Sequence, residues 1–403
     1  HSELLERHGL DCIYGSIYSS DRAVSIGLAT GGTASARLVT VPKNSTSRRT
    51  ITIEPVEYQF VQQGYNTHLR QSIARCDVLS QCLSLDDQSA NRQLAETGSL
   101  NGDWATLDLK SASDLLSLKL VEHVFHSRPR FLDGILSCRS SLCQTGLETN
   151  PLLRMRKYAG MGNATTFPVQ SVTFAIIAIC SQLESRPRIT RRDIVEAASR
   201  VRVYGDDIIV PSNCAEGTIR WIEAFGLRVN KQKSFWTGKF RESCGLDAYM
   251  GVDVTPIYLR HDPHNASGNM DASALSSIVS TSNQLWLKGL YNAAEYLRSI
   301  VDGALRHLPL VRRDSGALGW HTRCDATSIS HWNRRLHRFE YTGITVRSVC
   351  TQDRISGYPA LLKYFVTSRS SRQEDLFTRD PKHLERSPRR FMTKLAKKRL
   401  PSW

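Results

Sequence analysis

Val201-Arg-Val-Tyr204-Gly205-Asp206-Asp207-Ile-Ile-Val210-Pro211 sets two apolar runs on either side of a Gly-Asp pair. Short apolar runs joined by such a pair are the signature of a tight hairpin, so the stretch predicts two antiparallel strands with adjacent carboxylates at their junction. Upstream, Trp104-Ala-Thr-Leu-Asp108-Leu alternates, placing Thr106 and Asp108 on one face and Ala105, Leu107 and Leu109 on the other. Asp108 is therefore expected at the C-terminal end of a strand. Leu115, Leu118, Val121 and Phe125 then recur at helical spacing, and Pro168 to Leu183 is apolar almost all round, which predicts an interior helix. Nearer the N-terminus, Arg37 to Lys43 and Arg48 to Pro55 read as two extended segments joined by a polar, basic loop. The stretch Glu57 to Ile73 has the apolar period of a helix.

Two neighbouring carboxylates on a hairpin and a third at a strand end suit a pair of divalent cations roughly 4 Å apart. An oxygen-only ligand set favours magnesium, which keeps water and substrate phosphate in its shell. The plainer reading of Gly205-Asp206-Asp207 alone is a turn whose Asp side chains cap their own backbone.

The chain has 403 residues, 53 Lys+Arg against 38 Asp+Glu and a formal charge of +15. That length implies more than one core, and that charge has its commonest use in neutralising phosphate. The longest apolar stretch, Val172 to Cys180, falls short of the roughly 20 residues that span a bilayer, and no signal-like segment opens the chain. No membrane association is expected. Ten cysteines without a CxxC pair predict reduced thiols and a cytosolic setting. His261-Asp262-Pro263-His264 reads as a polar loop rather than a zinc site. A basic run from Arg379 to Arg399 has Phe391 and Leu395 at helical spacing; it fits either a solvated face or an RNA-tracking surface. The first residue is His1 rather than Met, which suggests an N-terminal truncation.

Taken in order, Val41-Pro-Lys-Asn44 with Arg49-Thr-Ile-Thr-Ile-Glu-Pro55, Asp108-Leu-Lys-Ser-Ala-Ser-Asp114, Lys157-Tyr-Ala-Gly-Met-Gly-Asn163, Tyr204-Gly-Asp-Asp207, Phe240-Arg-Glu-Ser-Cys-Gly245 and Gly251 to Arg260 form a constellation. It resembles the RNA-directed RNA polymerases of the small positive-strand RNA bacteriophages, from about residue 37 to about 300. The resemblance implies an α+β, right-hand fold of fingers, palm and thumb, whose antiparallel palm sheet bears the Gly-Asp-Asp hairpin. It divides the chain into a fingers portion over 1–100, a palm over 101–250 with inserted fingers at about 127–156, and a mostly helical thumb with a basic tail over 251–403.

Carried over by position, the resemblance implies that Asp108, Asp206 and Asp207 hold two Mg2+ ions, with Mn2+ as a substitute. It places Lys43 and Arg49 over the triphosphate. Asp114, Gly162 and Asn163 fall where the incoming ribose is read, Lys233 where pyrophosphate is protonated, and Arg241 where product RNA is gripped. Other readings stay open from the residues themselves. Ser111-x-x-Asp114 has capping-box spacing, Asn163 lies in a Gly-flanked turn, and Lys43 and Arg49 suit a solvated loop. Lys231 competes with Lys233, and Arg241 has Glu242 and Asp247 as candidate internal partners. The chain departs from the family's pattern at Ala159-Gly160, where two Ser are usual, and at Pro168 and Gln170, where acidic residues are usual.

The function implied is replication of a viral RNA from NTPs on an RNA template, in the cytoplasm of an infected bacterium. The expected company is host elongation factors Tu and Ts and a ribosomal protein. The rivals are a reverse transcriptase and a catalytically inactive RNA-binding remnant. The polar residues Asp114 and Asn163 speak against the first, and the three intact carboxylates against the second.

Overall fold

The computed structural model describes residues 35–43, 47–147, 149, 151–262, 272–304, 308–313, 316–322, 331–352, 357–359, 361–362 and 389–401. Residues 30–34, Asn44, His264, Arg379 and Arg386 lie outside them. The chain forms two compact units, His1–Thr255 and Pro256–Trp403.

Among the described residues the first unit begins with strands β1 (Ser35–Pro42) and β2 (Arg48–Ile53), antiparallel with Val41 opposite Arg49, so the two expected extended segments form a hairpin. Helices α1 (Val56–Arg75), α2 (Leu79–Cys82) and α3 (Ser89–Asn101) follow, and then β3 (Trp104–Asp108). The helix expected after β3 is broken into α4 (Ala112–Leu115) and α5 (Leu118–Phe125). Ser117 is extended between them, and its Oγ accepts from Leu120 N–H at 3.2 Å, a new N-cap. Leu116 O and Leu118 N–H are meanwhile taken by Tyr158 N–H and Arg156 O, which pull the chain away from helical pairing.

Next come α6 (Pro129–Ser137), β4 (Leu142–Gln144), β5 (Leu152–Arg154) and the interior helix α7 (Thr166–Leu183). β4 and β5 join the β1–β2 hairpin in the order β2-β1-β4-β5. Length and composition alone would let α7 cross a membrane, but it is a core helix: Val169, Phe174, Ala175 and Ala178 are wholly buried. Helix α8 (Arg191–Ser199) starts on a complete capping box of Thr190 and Asp193. It leads into β6 (Arg202–Tyr204) and β7 (Asp207–Pro211). After α9 (Ala215–Ala224) the unit closes with β8 (Phe240–Ser243), β9 (Leu246–Tyr249) and β10 (Val252–Asp253).

The central sheet is antiparallel in the order β3-β7-β6. Ala105, Leu107, Ile208 and Val210 are buried in one continuous core with α7, Val203 and Ala197. Burying that face fixes the register, since a one-residue slip would carry Ala105 and Leu107 of β3 to the opposite face, where Thr106 and Ile209 are buried.

In the second unit, α10 (Ala272–Leu287) and α11 (Tyr291–Ala304) are joined by β11 (Leu310–Val311), β12 (Trp320–His321), β13 (His331–Asn333), β14 (Arg338–Gln352) and β15 (Arg389–Pro401). Among the described residues this unit is not mostly helical, which corrects the expectation for 251–403. The basic run ends in a strand, not a helix: residues 389–401 pair with β14 without a bulge. Leu395 packs on the Leu275–Trp320 core from a strand. A spacing of four, as between Phe391 and Leu395, fits the period of a strand as well as that of a helix. Among the described residues Cys76, Cys82, Cys138, Cys143, Cys180, Cys214 and Cys244 are free, as expected.

Candidate active site

Asp108 ends β3 directly opposite Asp207, the first residue of β7, and Tyr204 of β6 pairs with Asp207 from the other side. Asp206 occupies the two-residue turn with Gly205. Gly205 has φ +65° at the first central position, where a II′ hairpin turn requires a residue free to go left-handed. A Cβ there would lie 2.8 Å from Phe167 Cε2, and Gly205 N–H donates to Ser171 Oγ at 3.1 Å. The interior helix α7 thus holds the turn from beneath.

Both carboxylates have a fixed oxygen. Asp108 Oδ2 accepts from Asn230 Nδ2 at 2.8 Å, and its backbone N–H donates to Ser234 Oγ at 3.0 Å. Because its carbonyl also accepts from Asn230 N–H, Asp108 spends its backbone away from β7. Asp108 and Asp207 are therefore a non-hydrogen-bonded cross-strand pair, the kind whose side chains approach more closely. Asp207 Oδ2 accepts from Cys244 N–H at 3.2 Å, delivered by the tight β8–β9 turn.

The electrostatics follow. Burial, then the Asp206 charge, push Asp207 up to about 6, with a smaller push from Asp108 against the Cys244 bonds. Burial also raises Asp108, opposed by the Asn230 bond and reinforced by Asp206. Like charges brought together under partial burial favour protonation or a cation. Among the described residues no His, Cys, Asp or Glu group is closed tightly enough to form a metal cage. The fit is in the chemistry: three carboxylates, oxygen donors only, mutual repulsion that a hard cation relieves, and an oxygen of Asp108 and of Asp207 outside the bonds just described.

The remaining expected residues lie as follows. Lys233 Nζ donates to Glu242 Oε1 at 2.6 Å; that bond, then the charges of Glu242 and Asp108, raise its pKa. Lys231 is exposed. Asp114 does not form the capping box; α4 has no side-chain cap, and Asp114 Oδ1 instead accepts from Lys157 Nζ at 2.6 Å. Asn163 is 5% exposed, with Oδ1 accepting from Thr165 N–H and Oγ1 and with Nδ2 near buried Glu54 but in no well-formed bond. Its turn is the Asx kind, and the left-handed residue is Gly162, at φ +116°. Lys43 and Arg49 are exposed on the β1–β2 hairpin.

Arg241 requires a correction. It is 1% exposed, and its guanidinium donates to the carbonyls of Trp104, Thr237, Gly238 and Phe240. It grips neither RNA nor Glu242 and Asp247; it ties β8 to β3.

The departure at Ala159-Gly160 has a packing reason. A Cβ on Gly160 would lie 2.2 Å from Thr52 Oγ1, and one on Gly162 2.1 Å from Thr52 O. Thr52 N–H donates to Met161 O at 2.7 Å, so the glycine loop is laced onto β2 of the basic hairpin. Gln170 is buried near the Gly205 turn.

Sequence reasoning missed Asn230, Ser234, Ser171 and the Cys244 amide as supports of the carboxylates. Asn230 and Ser234 lie more than 120 residues from Asp108, and no local pattern marks a backbone N–H as a ligand's partner.

The family whose description is RNA replicase, beta-chain, matches residues 28–399. The chain belongs to that family, as the resemblance implied. It is 38% identical over 227 residues to the RNA-directed RNA polymerase subunit beta of Qbeta virus (strain MX1), covering 56% of this chain and 35% of that one. It is 34% identical to the RNA-directed RNA polymerase beta chain of Escherichia phage MS2, covering 56% and 38%. The chain thus aligns with little more than a third of the length of these relatives. A solved structure of the BmCPV RNA-dependent RNA polymerase at elongation state is similar at a TM-score of 0.46 and 10% identity, over 73% of this chain and 28% of that one.

Proposed function

We propose that this chain is the catalytic part of an RNA-directed RNA polymerase that copies a phage RNA from NTPs and releases pyrophosphate. The observation that carries the reading is the register Asp108 opposite Asp207 with Asp206 at the adjoining turn. The Asp206 charge raises the affinity of Asp207 and Asp108 for positive charge, and the three stand at one end of a sheet anchored in the core.

Asp108, Asp206 and Asp207 would hold two Mg2+ ions, replaceable by Mn2+, which activate the attacking 3′ hydroxyl and stabilise the leaving pyrophosphate. Asn230 and the Cys244 amide orient Asp108 and Asp207 for that role. Lys233, whose pKa is raised by Glu242 and Asp108, would give its proton to the leaving group once Glu242 releases it. Lys43 and Arg49, exposed on a hairpin laced to the glycine loop, supply charge to the triphosphate. Asp114 and Asn163 are the candidates for ribose recognition. Template and product RNA are the macromolecular ligands; host elongation factors Tu and Ts and a ribosomal protein are the proposed companions, in the cytoplasm of the infected cell.

The test is NTP incorporation on a short RNA template with Mg2+, with and without those host proteins, by the chain and its Asp206→Asn variant. Synthesis by the parent and none by the variant is expected. Equal synthesis by both would overturn the site, preference for dNTPs would favour the reverse transcriptase, and RNA binding without synthesis in any setting would leave an inactive remnant. Recovery of neither elongation factor from host lysate would count against those partners.

A further inference from the structure

We propose that the β14–β15 ribbon of the second unit is a separate RNA-backbone site, in which Arg347, Lys394 and Lys398 on one face contact phosphates. Only the identity of the polyanion rests on the polymerase reading; the site itself is read from the ribbon. The two strands pair continuously from Glu340 opposite Pro401 to Gln352 opposite Arg389, so side chains alternate strictly between two faces. Ile344 and Leu395 define the inner face, against the core of Leu275, Ile278 and Trp320.

Arg347 and Lys394 lie on the other face and directly opposite each other, and Lys398 follows on the same face, opposite Gly343. All three are exposed. Of the Lys and Arg side chains described on the two strands, Arg347, Lys394 and Lys398 fall on the outer face with no acidic residue; Arg338, Lys397 and Arg399 share the inner face with Glu340, which accepts from Arg338 and Asn333.

Like charges placed directly across an antiparallel pair destabilise it. A structural ribbon has no reason to keep Arg347 against Lys394, whereas an anion lying between them reverses the sign of that term. Lys394 and Lys398 are four residues apart, about 14 Å along an extended strand. That is a track suited to alternate phosphates of an extended strand held without regard to sequence. The competing use of such lysines is to guard the edge strand β15 against pairing with another chain.

The experiment measures affinity for a labelled, unstructured 20-nucleotide RNA from 50 to 200 mM salt. It compares the chain with Arg347→Gln/Lys394→Gln/Lys398→Gln and with a control of equal charge change in the first unit, Arg188→Gln/Arg192→Gln/Arg200→Gln, all exposed. At about 0.7 per phosphate contact, the ribbon variant should lower the slope of log affinity against log salt by about 2. Over this range the parent then loses about 20-fold more affinity than the variant. The control should keep the parent slope. The slopes are read whether or not the parent chain synthesises RNA, which separates this proposal from the polymerase reading. The melting midpoint of the ribbon variant should be equal or higher, because a repulsive pair is gone. If the triple variant unfolds, Lys394→Gln/Lys398→Gln should still lower the slope by about 1.4. An unchanged slope, equal losses in ribbon and control variants, self-association with RNA affinity intact, or stronger binding to phosphatidylserine vesicles than to RNA would each overturn it.

Discussion

The Asp206→Asn substitution removes a charge from the turn, and with it part of the pressure on Asp207, whose carboxyl stands at about 6 against an ordinary 3.8. In the unfolded chain Asp207 ionises near the lower value, so without metal the folded state holds a proton that the unfolded state has lost between those two pH values. Metal-free stability therefore falls as pH rises from about 4 to about 6 and is level above it. At about 1.4 kcal/mol per unit the whole effect is about 3 kcal/mol. Burial is the largest cause and survives the substitution, and Asp206 comes second. Its removal should return about 1 kcal/mol, or about 2–4 °C in melting midpoint for a unit of this size. The expectation is a metal-free Asp206→Asn chain that melts higher than the parent at pH 7.5 in EDTA. The difference should vanish near pH 4, where folded Asp207 is protonated in both. Added Mg2+ should stabilise the parent more than the variant. Differential scanning calorimetry at both pH values, with EDTA or Mg2+, makes the comparison. A variant that melts lower at pH 7.5, or gains equally at both pH values, would refute the claim that Asp206 and Asp207 share one electrostatic site.

Gly162→Ala sets a Cβ 2.1 Å from Thr52 O at a left-handed φ. It should lower both melting midpoint and NTP incorporation, whereas Gly64→Ala, in open space on α1, should cost nothing in either assay. Arg241→Ala strands four backbone carbonyls and should cost about 3 kcal/mol or more in urea unfolding, with Lys restoring little. RNA affinity per folded molecule should not change; a specific loss of RNA binding at full stability would restore the phosphate role. Lys233→Ala breaks a half-exposed pair and should change stability by less than about 1 kcal/mol. Single-turnover incorporation should nevertheless fall about 100-fold and lose its basic pH limb, and a drop of only a few-fold would remove the lysine from the chemistry.

Periodicity and punctuation made β3, the Gly205-Asp206 hairpin and helices α1 and α7 legible in the sequence, because a buried face, a buried stripe or, in α7, burial all round is written along the chain. The three carboxylates were legible for the same reason: polar residues at the ends of apolar strands stand out. What the one-dimensional pattern does not carry is pairing between distant segments. That Asp108 faces Asp207, that Asn230 and Cys244 hold them, and that Arg241 is spent on carbonyls of β3 and its own turn were decided by tertiary packing. The break between α4 and α5 and the strand state of residues 389–401 had the same origin, since in each case a remote partner claimed the backbone groups a helix would have used. Local chemistry in this chain names the reactive groups; the backbone hydrogen bonds and burial of a folded unit decide which of them meet.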